Sequence, residues 1–189
     1  MSDEARKHII RAAGAFILLL AIGAALLPLE HGLQGRVVVG WLLFAAGLVE
    51  SGAALARRLH RPSAVVAGAA TVLAGLRLIV DPRAGFFEVL NLVILWLVVR
   101  SAALTLAATR SRNPLRGWFV VAGATDFLLA VLLLAGLPIA LIVWGLFGRT
   151  SEIIATFAWV LAISFVATGA LLIAAAPAEA CEREEPPAP

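Results

Sequence analysis

Six long apolar runs, separated by short polar turns marked by arginine, divide the sequence. They cover about Ala12 to Leu29, Val37 to Ala56, Ala64 to Val80, Phe86 to Ala108, Trp118 to Ala135 and Glu152 to Ala176. A helix rising about 1.5 Å per residue needs roughly 20 apolar residues to cross a bilayer core, and each run is near that length. The pattern predicts an all-α polytopic membrane protein with six transmembrane helices. Between the fifth and sixth runs, "GLPIALIVWGLFG" is apolar too, but too short to cross independently. It is expected either to prolong the fifth helix past a kink at Pro138 or to lie at the membrane surface.

The runs also repeat. A shift of 54 positions carries Gly14 onto Gly68 and Pro28 onto Pro82, and a shift of 109 carries Gly14 onto Gly123. "VESGAALA" from Val49 matches "VRSAALTLA" from Val99 and, more loosely, "VATGALLIA" from Val166. The expected architecture is three helical hairpins, about 12–58, 62–110 and 114–176, within a membrane domain 12–176. Residues 1–11 form a cytoplasmic amino-terminal segment. The tail 177–189, "PAEACEREEPPAP", is too polar and proline-rich to bury a core and is expected to be disordered. Small residues recur at four-residue spacing, as in Ala67, Thr71 and Gly75 or Gly47 and Ser51, which lets membrane helices approach closely.

Composition agrees with the pattern: 62% of residues are hydrophobic, 14% are charged, and the mean hydropathy is +1.00. A net charge of +3 and a pI near 10.4 raise the question of nucleic acid. The cations flank apolar runs, however, and form no basic face with interleaved aromatics, which excludes that partner. Their distribution sets the topology. Ten Lys and Arg fall on one side: Arg6, Lys7, Arg11, Arg57, Arg58, Arg61, Arg110, Arg112, Arg116 and Arg183. Only Arg36, Arg83 and Arg149 fall on the other, so both termini are expected in the cytoplasm. The first run has the basic flank of a signal peptide but the length of a span and no clear cleavage site, and reads as an uncleaved helix.

The two remaining arginines, Arg77 and Arg100, lie inside spans. Arg77 precedes Asp81 by four residues near the outer end of the third run, where it can snorkel outward and pair with it. Arg100 is the repeat counterpart of Glu50. A lone charge at mid-membrane is costly, so such residues face the bundle interior and pair. Asp126 lies ten residues beyond Arg116, and Arg100 ten before Arg110, so the two should share a depth on helices joined by a short loop. A buried ionisable cluster of Glu50, Arg100 and Asp126 is expected. Two acids facing one guanidinium can hold helices in register, or can sense or conduct protons.

No catalytic chemistry is legible. His8, His31 and His60 flank different spans and make no metal site by spacing, and the single Cys181 can form no internal disulfide. No phosphate-binding loop, zinc-protease motif or nucleophile elbow occurs. Ser51, Ser101 and Ser164 lie within spans, where a hydroxyl is expected to bond the backbone or another helix. Trp41 and Trp118 follow basic residues at span starts, as interfacial belt residues do, whereas Trp96 and Trp159 lie deeper and read as packing residues. Neither an enzyme nor a cofactor is implied. The lipid bilayer is the expected partner. Further copies of the chain, and protons or a small solute, are the other candidates, since six short helices enclose little space and a pore would need several copies. The outer residues Glu30, His31, Asp81, Glu88 and Glu152 are a third candidate, as contacts for an extracytoplasmic partner.

The recurrent unit is an apolar helix with an early glycine, a proline at its outer end, then "GWLLFAAGLVESGAALA" leading into a basic turn. It resembles the HdeD family of bacterial acid-resistance membrane proteins, over about Arg11 to Ala176. "GWFVVAGATDFLLAVLLL", with Trp118, Gly123 and Asp126 in order, is similar to the corresponding family segment. The resemblance implies a six-helix protein of the bacterial inner membrane linked with survival under acid stress, and, with no catalytic motif legible, a non-catalytic contribution to acid or envelope stress tolerance is expected. The third hairpin departs from the repeat, with Ala167 in place of the charge and a long outer connection.

Overall fold

The computed structural model describes residues 3–26, 35–57, 61–81, 86–111, 115–147 and 151–181. Six helices account for nearly all of them: α1 (Asp3–Leu26), α2 (Gly35–Ala56), α3 (Arg61–Val80), α4 (Phe86–Arg110), α5 (Leu115–Phe147) and α6 (Ser151–Cys181). Each contains a stretch long and apolar enough to cross a membrane. In hydrocarbon every backbone N–H and C=O must be satisfied within the chain, and a helix does this locally.

Several boundaries differ from the sequence reading. The helix α1 starts at Asp3, so the polar segment before Ala12 is mostly helical, with Glu4 pairing to Lys7 at 3.8 Å one turn on. The apolar stretch after Ala135 prolongs α5 through Pro138 to Phe147. The helix α6 runs through Pro177 to Cys181, five residues into the expected disordered tail, because Ala178, Glu179 and Ala180 are strong helix formers. Residues 182–189, and the loop positions Pro28, Glu30, His31, Arg58, His60, Pro82, Arg83, Arg112 and Arg149, lie outside the described residues.

The helices stand in chain order around a ring, with α6 closing onto α1. The tight pairs are α2–α3, α4–α5 and α6–α1, and the contacts inside the expected hairpins, α1–α2, α3–α4 and α5–α6, are looser. The unit of close packing is therefore offset by one helix from the sequence repeat. Glycine supplies the reason. A Cβ added to Gly68 would come 2.8 Å from the Ser51 backbone nitrogen, and one on Gly47 would come 2.5 Å from that of Val72. Gly14 and Gly169 face each other, an added Cβ on either falling 2.9 Å from the other's carbonyl oxygen. Lipid tails are as apolar as leucine, so membrane helices are held by close backbone approach and polar contacts rather than by escape from water. Large apolar side chains such as Leu19, Leu73 and Leu95 turn outward to the lipid instead.

Burial exposes a three-fold pattern. On α2 the buried stripe includes Leu43, Ala46, Gly47, Glu50 and Ala53, and on α4 it includes Val93, Trp96, Leu97, Arg100 and Ala103, 50 positions later. On α6 the same stripe is Leu161, Ser164, Phe165, Thr168 and Leu171. The third counterpart of Glu50 and Arg100 is thus Thr168 and not Ala167, because the inward face of α6 runs one residue later than the loose match from Val166 suggests. On the odd helices Gly14, Gly68 and Gly123 are buried, and three residues on come Ile17, Thr71 and Asp126.

Candidate functional site

The even helices bring Glu50, Arg100 and Thr168 together, and the odd helices add Thr71 and Asp126 at the same level. Thr71, Arg100, Asp126 and Thr168 are close to the centres of their apolar spans, and Glu50 lies about one turn past the centre of its own. Its hub is Arg100, 1% exposed. Arg100 Nη2 donates to Glu50 Oε1 at 3.2 Å and also to Thr168 Oγ1, while Nη1 donates to Ser164 Oγ at 3.1 Å. The Nε atom lies 3.5 Å from Asp126 Oδ2, an ion-pair contact outside hydrogen-bond geometry that leaves both buried atoms without a hydrogen bond. Ser164 in turn donates to Asp126 Oδ1 at 2.6 Å.

The far side of Glu50 is held by Thr71, whose Oγ1 lies 3.3 Å from Glu50 Oε2 and 2.9 Å from the Ala67 carbonyl oxygen. Its single hydrogen can serve one of these acceptors at a time. Trp96 Nε1 donates to Thr71 Oγ1 at 3.0 Å, and the same indole lies beneath the guanidinium, 5.7 Å from ring centroid to Cζ. A cation over a tryptophan face gains further from the ring's negative charge distribution. Arginine suits the place, since its planar fork offers five donors and its charge is permanent.

The tight helix pairs give this network its meaning. Asp126 and Arg100 belong to the α4–α5 pair, Glu50 and Thr71 to α2–α3, and Ser164 and Thr168 to α6–α1. One side chain therefore bonds all three pairs. Apolar clusters close it in on both sides along the bundle. On α4 the node lies between Leu97 of the larger cluster and Leu104 of the smaller, and on α5 between Leu129 and Ala122.

The structure thus brings Glu50, Arg100 and Asp126 into one buried cluster. It places Arg77 and Asp81 as a half-exposed pair at the carboxy-terminal end of α3, 2.8 Å apart, away from the node. Thr71, Trp96, Ser164 and Thr168 were not legible as members. Thr71 carried a signal, since it stands three residues after Gly68 as Asp126 stands three after Gly123. Trp96 does more than fill space. Trp159 is 55% exposed and faces outward, so it is not a packing residue. Ser101 Oγ donates to the Gly123 carbonyl oxygen at 2.9 Å, tying α4 to α5 beside the node. No group of three or more His, Cys, Asp or Glu that could hold a metal ion occurs among the described residues. Comparison of the chain with protein-family models, with curated proteins and with solved structures gave no match.

Proposed function

We propose that this chain is a non-catalytic, multi-pass protein of the bacterial inner membrane, of the HdeD-like kind, that contributes to acid or envelope stress tolerance through the packing of its helices. The observation that carries the packing role is the Arg100 node. One permanently charged side chain joins three closely packed helix pairs and is closed in by apolar clusters on both sides. Buried ions with this many partners act as fasteners whose removal is costly. The link with acid stress rests on the sequence resemblance, and a bacterium deleted for the gene tests it. Survival after acid challenge should fall on deletion and return with the wild-type gene. Equal survival of all three strains would remove the acid role.

The charge count, ten cations against three, supports a topology with both termini in the cytoplasm. A cysteine at Ser111, in a chain with Cys181→Ser, should resist membrane-impermeant thiol reagent in intact cells and react after lysis. Labelling from outside would reverse the topology.

The excess of carboxylate at the node favours a second reading, a pathway for protons or a small solute lined by Glu50, Arg100 and Asp126. Proton flux in liposomes under an imposed pH gradient separates the two. Flux above protein-free leak that falls in Glu50→Gln and Asp126→Asn makes the node part of a path. Folded, inserted protein without flux leaves it a fastener.

A further inference from the structure

Charge does not balance at the node. Glu50 on α2 and Asp126 on α5 face the single guanidinium of Arg100 on α4. The groups that the other helices bring are uncharged: Thr71 from α3, Ser164 and Thr168 from α6, and Ile17 at the equivalent level of α1. The buried Arg57 stands two turns from Glu50, roughly 10 Å along α2, against the Phe119 ring, and Arg6 lies near the start of α1. Along their helices Arg57 stands seven residues beyond Glu50 and Arg6 eleven before Ile17, well away from the level of the node. Apolar clusters on both sides keep mobile counter-ions away. An unmatched negative charge in such surroundings is strongly disfavoured.

We propose that the node holds one resident proton, on the Asp126 carboxyl, so that Glu50 alone is the charged partner of Arg100. The two acids are not equivalent in geometry. Glu50 takes a direct hydrogen bond from the guanidinium and faces the Thr71 hydroxyl. Asp126 has one oxygen with no hydrogen bond, and its other lies 2.6 Å from Ser164 Oγ. At that separation either oxygen can be the donor. With the proton on Asp126, the carboxyl O–H donates to Ser164 Oγ, which already accepts from Arg100 Nη1, and the serine hydrogen turns to its own helix backbone. The node is then neutral, and every side chain keeps its partner.

In this state Glu50 with Arg100 is the ion pair that joins the α2–α3 pair to the other helices, beside the Trp96–Thr71 hydrogen bond from α4. This rests on the reading of Arg100 as the fastener of the three helix pairs.

Infrared spectroscopy of the full-length protein in lipid at neutral pH tests the proposal, with the side-chain carboxyl carbon isotopically labelled in aspartate or, separately, in glutamate. A carbonyl-stretch band of a protonated carboxylic acid should be present, should move on aspartate labelling and should stay in place on glutamate labelling. Asp126→Asn should remove it, although the two labels decide the matter without any variant. Absence of the band, or its movement with the glutamate label, overturns the proposal. The fastening role is read separately, from the melting of Arg100→Leu, so either can fail while the other stands.

Discussion

Arg100 Nη2 and Glu50 Oε1 lie 3.2 Å apart, and the two residues occupy the same place in successive repeats, 50 positions apart. Sequence-related positions have therefore become physical partners at the centre of the ring. The third such position, Thr168, accepts from the same Nη2 atom. A repeated unit that carried the same charge three times would repel itself at this point. Acid, base and hydroxyl at the three equivalent positions avoid that.

Arg100→Leu should leave two buried acids without their cation and lower thermal stability in detergent by about 3–5 kcal/mol, the usual effect of removing one partner from a buried ion pair. Arg100→Lys should fall between, because an ammonium keeps the charge but cannot reach Glu50, Ser164 and Thr168 in one planar fork. Thermal unfolding of the purified variants reads both. Melting of Arg100→Leu at the wild-type temperature would remove the fastener.

Glycines should divide by what faces them. Gly68→Val pushes into the Ser51 backbone and Gly47→Val into Val72, and each should cost about 1–3 kcal/mol or more as α2 and α3 are forced apart. Nothing lies within 4 Å of a Cβ added to Gly52. Gly52→Ala should be neutral or gain up to about 1 kcal/mol through helix propensity. Melting curves of the three variants check the order.

Much of this was readable from residues alone. The six spans follow from apolar run length, the common depth of Arg100 and Asp126 follows from helical rise counted from the basic turns, and the place of Glu50 beside them follows from the repeat. Which gaps between helices are tight was not readable, because a repeat fixes what recurs and not which neighbour each face meets. That is decided by whether a Gly14 or Gly68 stands opposite another small residue or opposite lipid. Thr168 was missed because a register error of one residue turns an inward position on α6 sideways. Trp96 was missed as a donor because its value depends on Thr71, a helix away and 25 residues earlier.

The Trp96–Thr71–Glu50 chain should behave as a unit. Trp96→Phe removes the donor to Thr71, and Thr71→Val removes both the acceptor of that bond and the hydroxyl facing Glu50. Hydrogen bonds between membrane helices typically contribute about 0.6–2 kcal/mol. A double-mutant cycle on unfolding free energy should give a coupling of that order. Strict additivity would show that the indole contributes by packing alone.

The Arg77–Asp81 pair has a shorter contact than Arg100–Glu50 but should matter far less. Its side chains are 53% and 37% exposed, so polar surroundings screen it and both groups stay solvated when it breaks. Asp81→Asn should change stability by less than about 1 kcal/mol in the same melting assay.

Exchanging the central charges asks whether the repeat is symmetric where it counts. Glu50→Arg alone places two guanidinium groups and one acid in the node, and Arg100→Glu alone places three acids there with no cation, so both should be poorly stable. The double exchange restores opposite charges at the two equivalent positions and should recover part of the loss. It should not recover all of it. Asp126 and Ser164 are arranged around position 100, where the exchanged chain carries a carboxylate facing Asp126, with Ser164 no longer bridging a cation to an acid. The expected order of melting temperatures is wild type, then the double exchange, then either single variant. A double exchange as stable as wild type would mean that the contacts from α5 and α6 contribute nothing and that the pair with Glu50 carries the node alone.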